Sequence, residues 1–124
     1  MTDAKPRFLR AVPLLPAPDI EAACTFYRTR LGFEVSFQYE DYAGLSRAGI
    51  DIHLWKCEDL RLPTQSSCRI AVRGIQALYR ELEAAGLIHP NGRLEEKPWG
   101  FLEFTAVDGC GNSLVFAERL PPEA

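Results

Sequence analysis

Two stretches of this chain decide its fold: residues 19–33, DIEAACTFYRTRLGF, and residues 74–87, GIQALYRELEAAGL. In each stretch apolar residues recur at helical spacing, and a glycine follows the last of them, as is common where a helix ends. Asp19 is a favourable N-terminal cap for the first helix. The sequence therefore predicts one amphipathic helix from Asp19 to about Leu31 and a second from Gly74 to about Gly86.

Predicted strands surround each helix in the same order. Before the first helix, residues 8–15 are expected to form a strand, and Pro13 favours an edge position for it because proline lacks an N–H donor. Each half of the chain is then β-α-β-β-β, with an additional short strand near 87–88 in the second half. The other predicted strands lie at about residues 33–39, 42–47 and 50–57 in the first half, and at about 67–73, 87–88, 93–97, 101–107 and 113–118 in the second.

The matching order of elements indicates a structural repeat. Coincidence is the alternative, since amphipathic helices closed by glycine are common. We expect one α+β domain over residues 1–124, with module one at about 8–57, a polar linker at 58–66 and module two at about 67–118. One βαβββ unit cannot close its own sheet, so two modules are predicted to form a curved mixed sheet around a concave cleft, where a binding site would lie.

Composition excludes several classes of function. The chain has 124 residues and a formal net charge of -3, which argues against a nucleic-acid partner, whose phosphates require a basic surface. That charge leaves room for a cationic ligand, although a small net charge mostly serves solubility. No apolar stretch is long enough for a signal peptide or a membrane span, and the four cysteines form no CxxC pair. We expect a cytoplasmic protein with reduced thiols and no membrane partner.

Short blocks from residue 11 to about residue 118 carry a family resemblance. They are AVPLL at 11–15, FY at 26–27, RLGF at 30–33, DYAG at 41–44, VRGI at 72–75, LY at 78–79, PWG at 98–100, EF at 103–104, and Asp108 with GN at 111–112. These blocks resemble the vicinal-oxygen-chelate superfamily, which includes glyoxalase I and extradiol dioxygenases, and within it most closely the bleomycin-resistance proteins. The first and the PWG-x-x-EF blocks point to that antibiotic-binding branch, whereas the FY…LGF and D..GN blocks indicate only the fold.

The resemblance also locates the metal ligands of related enzymes, in which four side chains bind one divalent ion. The corresponding positions here are Val12, His53, Ser67 and Val115. Valine offers no ligand atom, serine is a poor ligand, and one imidazole falls short of the three or more protein ligands that such sites use. We therefore expect no metal, no cofactor and no enzymatic activity. With two histidines in the chain, neither a Ser-His-Asp triad nor a Cys57–His53 pair is predicted.

If those four positions mark the concave face, strand alternation predicts which other side chains share it. Asp51 and Trp55 would lie beside His53, and Arg69 beside Ser67. Asp51 and Arg69 are as well placed to pair with each other as to contact a ligand. His53 on such a face is more often a hydrogen-bonded strand residue than a titrating one.

The resemblance implies a ligand of the bleomycin type, with or without its metal ion, which has a planar bithiazole and a cationic tail. Aromatic residues could stack on the planar part and carboxylates attract the tail. Gly100 beside Trp99 suggests a flat group lying against the backbone, although Trp99 could also be ordinary packing. The candidate ligand-binding residues are Phe37, Asp41, Tyr42, His53, Trp55, Ser67, Arg69, Trp99, Gly100 and Glu103.

The resemblance further implies a homodimer with clefts at the subunit interface, into which the N-terminal strand could cross. Three hypotheses follow for the function. The first is a protein that sequesters bleomycin-type antibiotics without modifying them. The second is a degenerate glyoxalase- or dioxygenase-like protein that binds or transforms another small polar ligand. The third is a ligand-binding module with no antibiotic role, since many proteins of this fold have housekeeping functions.

Overall fold

The structure, a computed structural model, describes residues 4–122 and shows the predicted α+β class. Each half has the order β-α-β-β-β, as predicted. A 3₁₀ helix at Pro63–Gln65 lies in the polar linker. The elements are β1 (Leu14–Ala17), α1 (Ile20–Arg30), β2 (Glu34–Gln38), β3 (Tyr42–Arg47), β4 (Ile50–Lys56), β5 (Ser67–Ala71), α2 (Ile75–Ala84), β6 (Glu95–Lys97), β7 (Phe101–Val107) and β8 (Ser113–Arg119).

The strands form two four-stranded sheets with the same topology. The first sheet has the order β1-β4-β3-β2 and the second β5-β8-β7-β6. In each, the strand before the helix runs parallel to the last strand of its half, and the remaining pairs are antiparallel. The mixed sheet is thus built twice, and no strand pairing joins the two sheets among residues 4–122.

The first strand is shorter than predicted. The expectation of a strand over residues 8–15 is wrong, because β1 begins only at Leu14. Pairing starts where the Pro13 carbonyl accepts a hydrogen bond from His53 N at 3.0 Å. Phe8 and Leu9 are 97% and 85% exposed, and within residues 4–122 no strand pairs with that segment, although Arg10 forms an ion pair with Asp51 on β4. The predicted edge position of β1 is confirmed.

The second half also differs from the prediction in its details. The strand expected at residues 87–88 is a single bridge between Ile88 and Ala106, and β6 is limited to three residues. The loop between α2 and β6 contains Pro90 and Gly92, and a side chain at Gly92 would collide with Thr105 on β7. The close approach of the Gly92 backbone to Thr105 takes the place of regular strand pairing before β6 begins at Glu95.

The two helices begin in different ways. Asp19 caps α1, since its carboxylate accepts a hydrogen bond from Ala22 N at 3.0 Å, as its position predicted. Gly74 supplies no side-chain cap to α2. Instead, Ile75 N donates to the Glu118 carboxylate on β8 at 2.9 Å, so a strand of the sheet supplies the acceptor for this helix start.

The core lies between each helix and its sheet. α1 contacts β2, β3 and β4, while α2 contacts β7 and β8. Each helix therefore covers one face of its sheet and leaves the opposite face, here called the open face, to polar and aromatic side chains. Fully buried core side chains include Tyr27, Leu31, Leu45, Ile52, Leu54, Ile75, Leu82, Phe104 and Leu114. Neither helix within residues 4–122 is long and apolar enough to cross a membrane.

A buried network around Asp108, in the turn between β7 and β8, joins the two halves. One carboxylate oxygen accepts the backbone N–H groups of Cys110, Gly111 and Asn112 at 2.9–3.0 Å. The other accepts the Tyr27 hydroxyl at 2.6 Å and the Asn112 side chain at 2.9 Å, and that side chain also donates to the Pro16 carbonyl. The D..GN block is therefore a structural junction between module two and the first half.

Burial and the negative charge of Asp108 explain the acid–base properties of its neighbours. The pKa of Tyr27 lies well above its ordinary value, mainly because the ring is buried and then because of Asp108. The same two causes raise the pKa of Cys68 to about 11 and contribute to raising that of Cys110 to about 12. All four cysteines are free thiols, and these two remain protonated at neutral pH.

Candidate functional site: two clusters on the open sheet faces

The open faces carry the side chains that strand alternation predicted. On β4, Asp51, His53 and Trp55 alternate with the buried Ile52 and Leu54. On the second sheet, the pairing register places Ser67 opposite Ser113, Arg69 opposite Val115 and Ala71 opposite Ala117. The candidate side chains on β4 thus share the open face of the first sheet. Ser67 and Arg69 share the open face of the second sheet with Val115 and Ala117.

Three rings form what we call the aromatic cluster on the first sheet: Phe37, Tyr42 and His53. The Tyr42 hydroxyl lies 2.8 Å from His53 Nδ1, which fixes the orientation of the imidazole. Phe37 stacks on Tyr42 with centroids 6.1 Å apart and meets His53 edge-on at 5.3 Å. Trp55 lies opposite Tyr42 in the pairing of β3 with β4. The result is a half-exposed aromatic surface in which Phe37 and Tyr42 are nearly parallel and the His53 ring is nearly perpendicular to both.

A β-bulge in β2 brings Phe37 into this cluster. Val35 pairs with Leu45, but Phe37 pairs with Gly44, so one extra residue lies between them. Simple alternation from Val35 would have put Phe37 on the helix-covered face, and the bulge turns it to the open face. Gly44 is required beneath it, because a Cβ there would lie 2.2 Å from the Phe37 ring.

Acidic side chains border the aromatic cluster. Asp41 is exposed in the turn between β2 and β3, and its backbone carbonyl accepts Lys56 N at 2.9 Å. Asp51 pairs with Arg10 at 2.7 Å. Of the two alternatives left open for Asp51 and Arg69, pairing with each other is excluded, since they lie on separate sheets and each has another partner.

On the second sheet, four residues form what we call the Glu103 cluster: Glu103, Arg69, Trp99 and Phe101. Glu103 Oε2 accepts a hydrogen bond from Arg69 Nη2 at 2.7 Å and another from Trp99 Nε1 at 2.6 Å. The Arg69 guanidinium lies 5.1 Å from the Phe101 ring centroid. The hydrogen bond from Arg69 is the main reason that the pKa of Glu103 lies below its ordinary value, with a smaller contribution from Trp99.

Trp99 and Gly100 occupy the turn before β7. The turn is closed by Gly100 N donating to the Lys97 carbonyl at 3.0 Å, and Trp99 is 60% exposed. Gly100 has a φ of +87°, which glycine adopts most readily, and nothing lies within 4 Å of a Cβ built there. A flat group lying against this backbone stays a prediction.

The four positions that correspond to metal ligands are divided between the sheets. Val12 lies just before β1 and His53 on β4, whereas Ser67 and Val115 lie on β5 and β8. Ser67 is exposed and both valines are half-buried. Within residues 4–122, no group of three or more His, Cys, Asp or Glu side chains could hold a metal ion.

The two clusters do not touch within one chain. Among residues 4–122, no hydrogen bond, ion pair or aromatic contact joins the aromatic cluster to the Glu103 cluster. Sequence reasoning also missed two members of the second face, Phe101 and Arg119, whose guanidinium lies 5.0 Å from the Phe101 centroid. The same alternation, extended from Glu103 and from Val115 to the strand ends, would have found both.

Comparison with known proteins identifies the class to which this fold and site belong. A family model described as "Glyoxalase superfamily protein" matches residues 2–123. A bleomycin resistance determinant encoded on the transposon Tn5 has the same fold, with a TM-score of 0.80 over 90% of this chain and 98% of that one, at 24% identity. The chain thus belongs to the glyoxalase superfamily and shares the fold of that Tn5 protein.

Closer relatives narrow this class. Bleomycin resistance proteins of Geobacillus stearothermophilus and Staphylococcus aureus are 30% identical to this chain, covering 90% of it and 98% of their own length. A bleomycin-binding protein from bleomycin-producing Streptomyces verticillus, solved with copper(II)-bleomycin, is 31% identical with a TM-score of 0.81, over 96% of this chain and 100% of that one. The chain belongs to the bleomycin resistance proteins of the glyoxalase superfamily.

Proposed function

We propose that this protein binds bleomycin-type glycopeptide antibiotics and confers resistance by sequestering them without modifying them. The observation that carries the proposal is the pair of exposed aromatic surfaces, the aromatic cluster and Trp99, on the open sheet faces. Near full-length similarity to bleomycin resistance proteins, and to a protein solved with copper(II)-bleomycin, supports this ligand class.

The chemistry of the two faces matches the parts of such a ligand. Phe37, Tyr42 and Trp99 offer flat surfaces on which a planar bithiazole can stack. The exposed carboxylates of Glu40 and Asp41, in the turn beside the aromatic cluster, can attract the cationic tail. Glu103 is a poorer candidate for that role than the sequence indicated, because Arg69 already neutralises its charge.

Binding without modification is supported by the donor set. The positions that hold a metal in related enzymes here offer two hydrocarbon side chains, a hydroxyl and one imidazole whose Nδ1 is engaged by Tyr42. Such a set gives the protein no means of its own to polarise a substrate. A metal ion that arrives within the ligand remains compatible with the open faces.

A homodimer is part of the proposal, since one chain leaves the two clusters apart. A second copy could place its Glu103 cluster opposite the aromatic cluster of the first and so complete each cleft. The exposed Phe8 and Leu9 precede β1 and lie free of their own chain, which suits a segment that crosses to the partner.

The function is tested by titrating the protein with copper-loaded and metal-free bleomycin while following tryptophan fluorescence and heat. We expect saturable quenching at micromolar drug, and mass spectrometry should recover the drug unchanged. Absence of binding by both forms at that concentration would contradict an antibiotic role, and recovery of an altered drug would contradict sequestration in favour of an enzyme.

The contribution of Trp99 is tested by Trp99→Ala. Loss of the stacking surface should weaken binding about tenfold or more. Thermal stability should fall only slightly, because the ring is mostly exposed and Glu103, although it loses the hydrogen bond from Trp99, keeps the one from Arg69. Leu60→Ala is the control, since Leu60 is 71% exposed in the linker and belongs to neither cluster. If Trp99→Ala lowers the free energy of unfolding by as much as it lowers the free energy of binding, the main role of the ring is packing and not ligand binding.

A further inference from the structure

Building on the binding function proposed above, we propose that Glu103 is a positioning residue: its carboxylate holds the Trp99 indole and the Arg69 guanidinium in one rigid platform, without contacting the ligand itself. The sequence placed Glu103 among the groups that contact a ligand. The geometry assigns it a different role, one layer below the surface that a ligand would meet.

Glu103 is buried beneath its hydrogen-bond partners. Glu103 is only 5% exposed although it lies on the open face of β7, whereas its partner Trp99 is 60% exposed and Arg69 is exposed as well. A buried carboxylate is stable only when it is paired and hydrogen-bonded, and here both of its donors come from side chains at the surface. The carboxylate thus lies beneath the groups that it holds.

A single carboxylate oxygen of Glu103 accepts both hydrogen bonds. Trp99 Nε1 and Arg69 Nη2 both donate to Oε2, at 2.6 and 2.7 Å, so the two planar groups are tied to a single point. Hydrogen bonds to an ionised acceptor are shorter and about twice as strong as neutral ones. Without them, an exposed indole in a turn would rotate freely and would have to be ordered when the ligand binds, which costs affinity.

The platform extends beyond Trp99 to Phe101 on β7. The Arg69 guanidinium also lies over Phe101, and Arg119 approaches the same ring at 5.0 Å. One buried charge therefore holds an indole and a guanidinium, and that guanidinium in turn lies over a phenyl ring. Removal of that charge is expected to loosen the whole surface rather than a single contact.

The groups around Glu103 keep it ionised at neutral pH. Arg69 approaches from β5, and from β6 Lys97 contributes a further positive charge, although Lys97 also binds Glu95, which lies opposite Glu103 in the strand pairing. Arg119 on β8 adds another cation on Phe101. Because the pKa of Glu103 lies below its ordinary value of 4.5, the charge of the platform is lost only as the pH falls below 4.5.

The free protein provides a test that needs no ligand. In a Trp55→Phe background Trp99 is the only tryptophan, and its indole N–H proton can be followed by NMR between about pH 7 and pH 3. We expect that resonance to titrate below pH 4.5 in the parent. Glu103→Gln should abolish the titration while keeping the hydrogen bond, and Glu103→Leu should also lower the fluorescence anisotropy of Trp99.

Titration with copper(II)-bleomycin tests how Glu103 acts. Glu103→Leu should weaken binding about tenfold, and Glu103→Gln should weaken it less. In a Trp99→Ala background, where the group that Glu103 holds is missing, Glu103→Leu should weaken binding by about twofold or less. Losses that are equally large in both backgrounds would show that Glu103 contacts the drug directly and would overturn the proposal. Glu96→Gln is the matched control, an exposed carboxylate with no ion pair among residues 4–122.

The two proposals fail in different ways. If the parent protein binds no bleomycin, the proposed function is wrong, but the indole resonance still shows whether Glu103 holds Trp99. If the drug binds and that resonance does not titrate in the parent, the positioning role is wrong while the function stands. Glu103→Gln preserves the shape of the side chain, so the test does not depend on the folding of Glu103→Leu.

Discussion

At the scale of single residues, the most constrained group is the Asp108 carboxylate. It accepts five hydrogen bonds, from three backbone N–H groups, the Asn112 side chain and the Tyr27 hydroxyl. These hydrogen bonds offset the cost of removing the carboxylate from water, and they fix the position of module two relative to the first half. The D..GN block is thus explained by the needs of one carboxylate, and no ligand is required to account for it.

Tyr27→Phe tests the strength of this junction. It removes the 2.6 Å hydrogen bond to Asp108 and is expected to lower the free energy of unfolding by about 1.5–3 kcal/mol, as for other hydrogen bonds to charged groups. Urea denaturation measures the change. Tyr39→Phe is the control, since the Tyr39 ring is exposed and its hydroxyl makes no hydrogen bond within the described residues. Equal effects of the two substitutions would contradict the assignment.

At the scale of elements, the hairpin of β2 and β3 determines the composition of the aromatic cluster. Its bulge turns Phe37 to the open face, and Gly44 leaves room for the ring to lie across β3. Tyr42 and His53 are then held from two sides, by the phenyl ring and by their own hydrogen bond. A local irregularity of one strand therefore brings Phe37 into the aromatic cluster of the first sheet.

Gly44→Ala tests this dependence. The added methyl would lie within 2.2 Å of the Phe37 ring, so we expect the ring to be displaced, with a loss of about 1–3 kcal/mol in the free energy of unfolding and a changed near-UV circular dichroism spectrum. In a Phe37→Ala background the same substitution should cost little. A comparable loss in that background would show that the strand, and not the ring, requires glycine.

At the scale of the whole molecule, the halves are joined by buried and by surface contacts. Arg47 on β3 and Glu81 on α2 form a bidentate ion pair, with hydrogen bonds of 2.8 and 2.9 Å. Both side chains are partly exposed, and such pairs contribute about 0.2–1 kcal/mol at most. The Asp108 network, which is buried, is expected to matter more for the relative placement of the two sheets.

The homodimer is also tested at this scale. We expect sedimentation equilibrium to show a dimer, and the double substitution Phe8→Ser with Leu9→Ser to raise its dissociation constant about tenfold or more, because two exposed apolar side chains would lose their burial against the partner. Leu60→Ser, a change at an apolar residue of the linker that is 71% exposed, should have little effect. An unchanged dissociation constant in the double variant would show that residues 8 and 9 lie outside the dimer interface.

Local pattern was sufficient for much of this fold. Helical spacing, the Asp19 cap and the closing glycines located both helices, because these depend on residues within one or two turns of one another. The residue types at Val12, Ser67 and Val115 likewise need no coordinates to exclude them as strong metal ligands. The start of β1 was predicted wrongly, since the pairing partner of a strand is a distant segment.

The chemistry of the site depended on contacts between distant parts of the chain. Glu103 and Arg69 are 34 residues apart, and Asp51 takes Arg10 instead of Arg69 because the two sheets are separate. The orientation of Phe37 depends on a bulge that alternation does not reveal. A side chain's type limits what it can bind, but its partners are set by which strands lie side by side, and that follows from the packing of the whole chain.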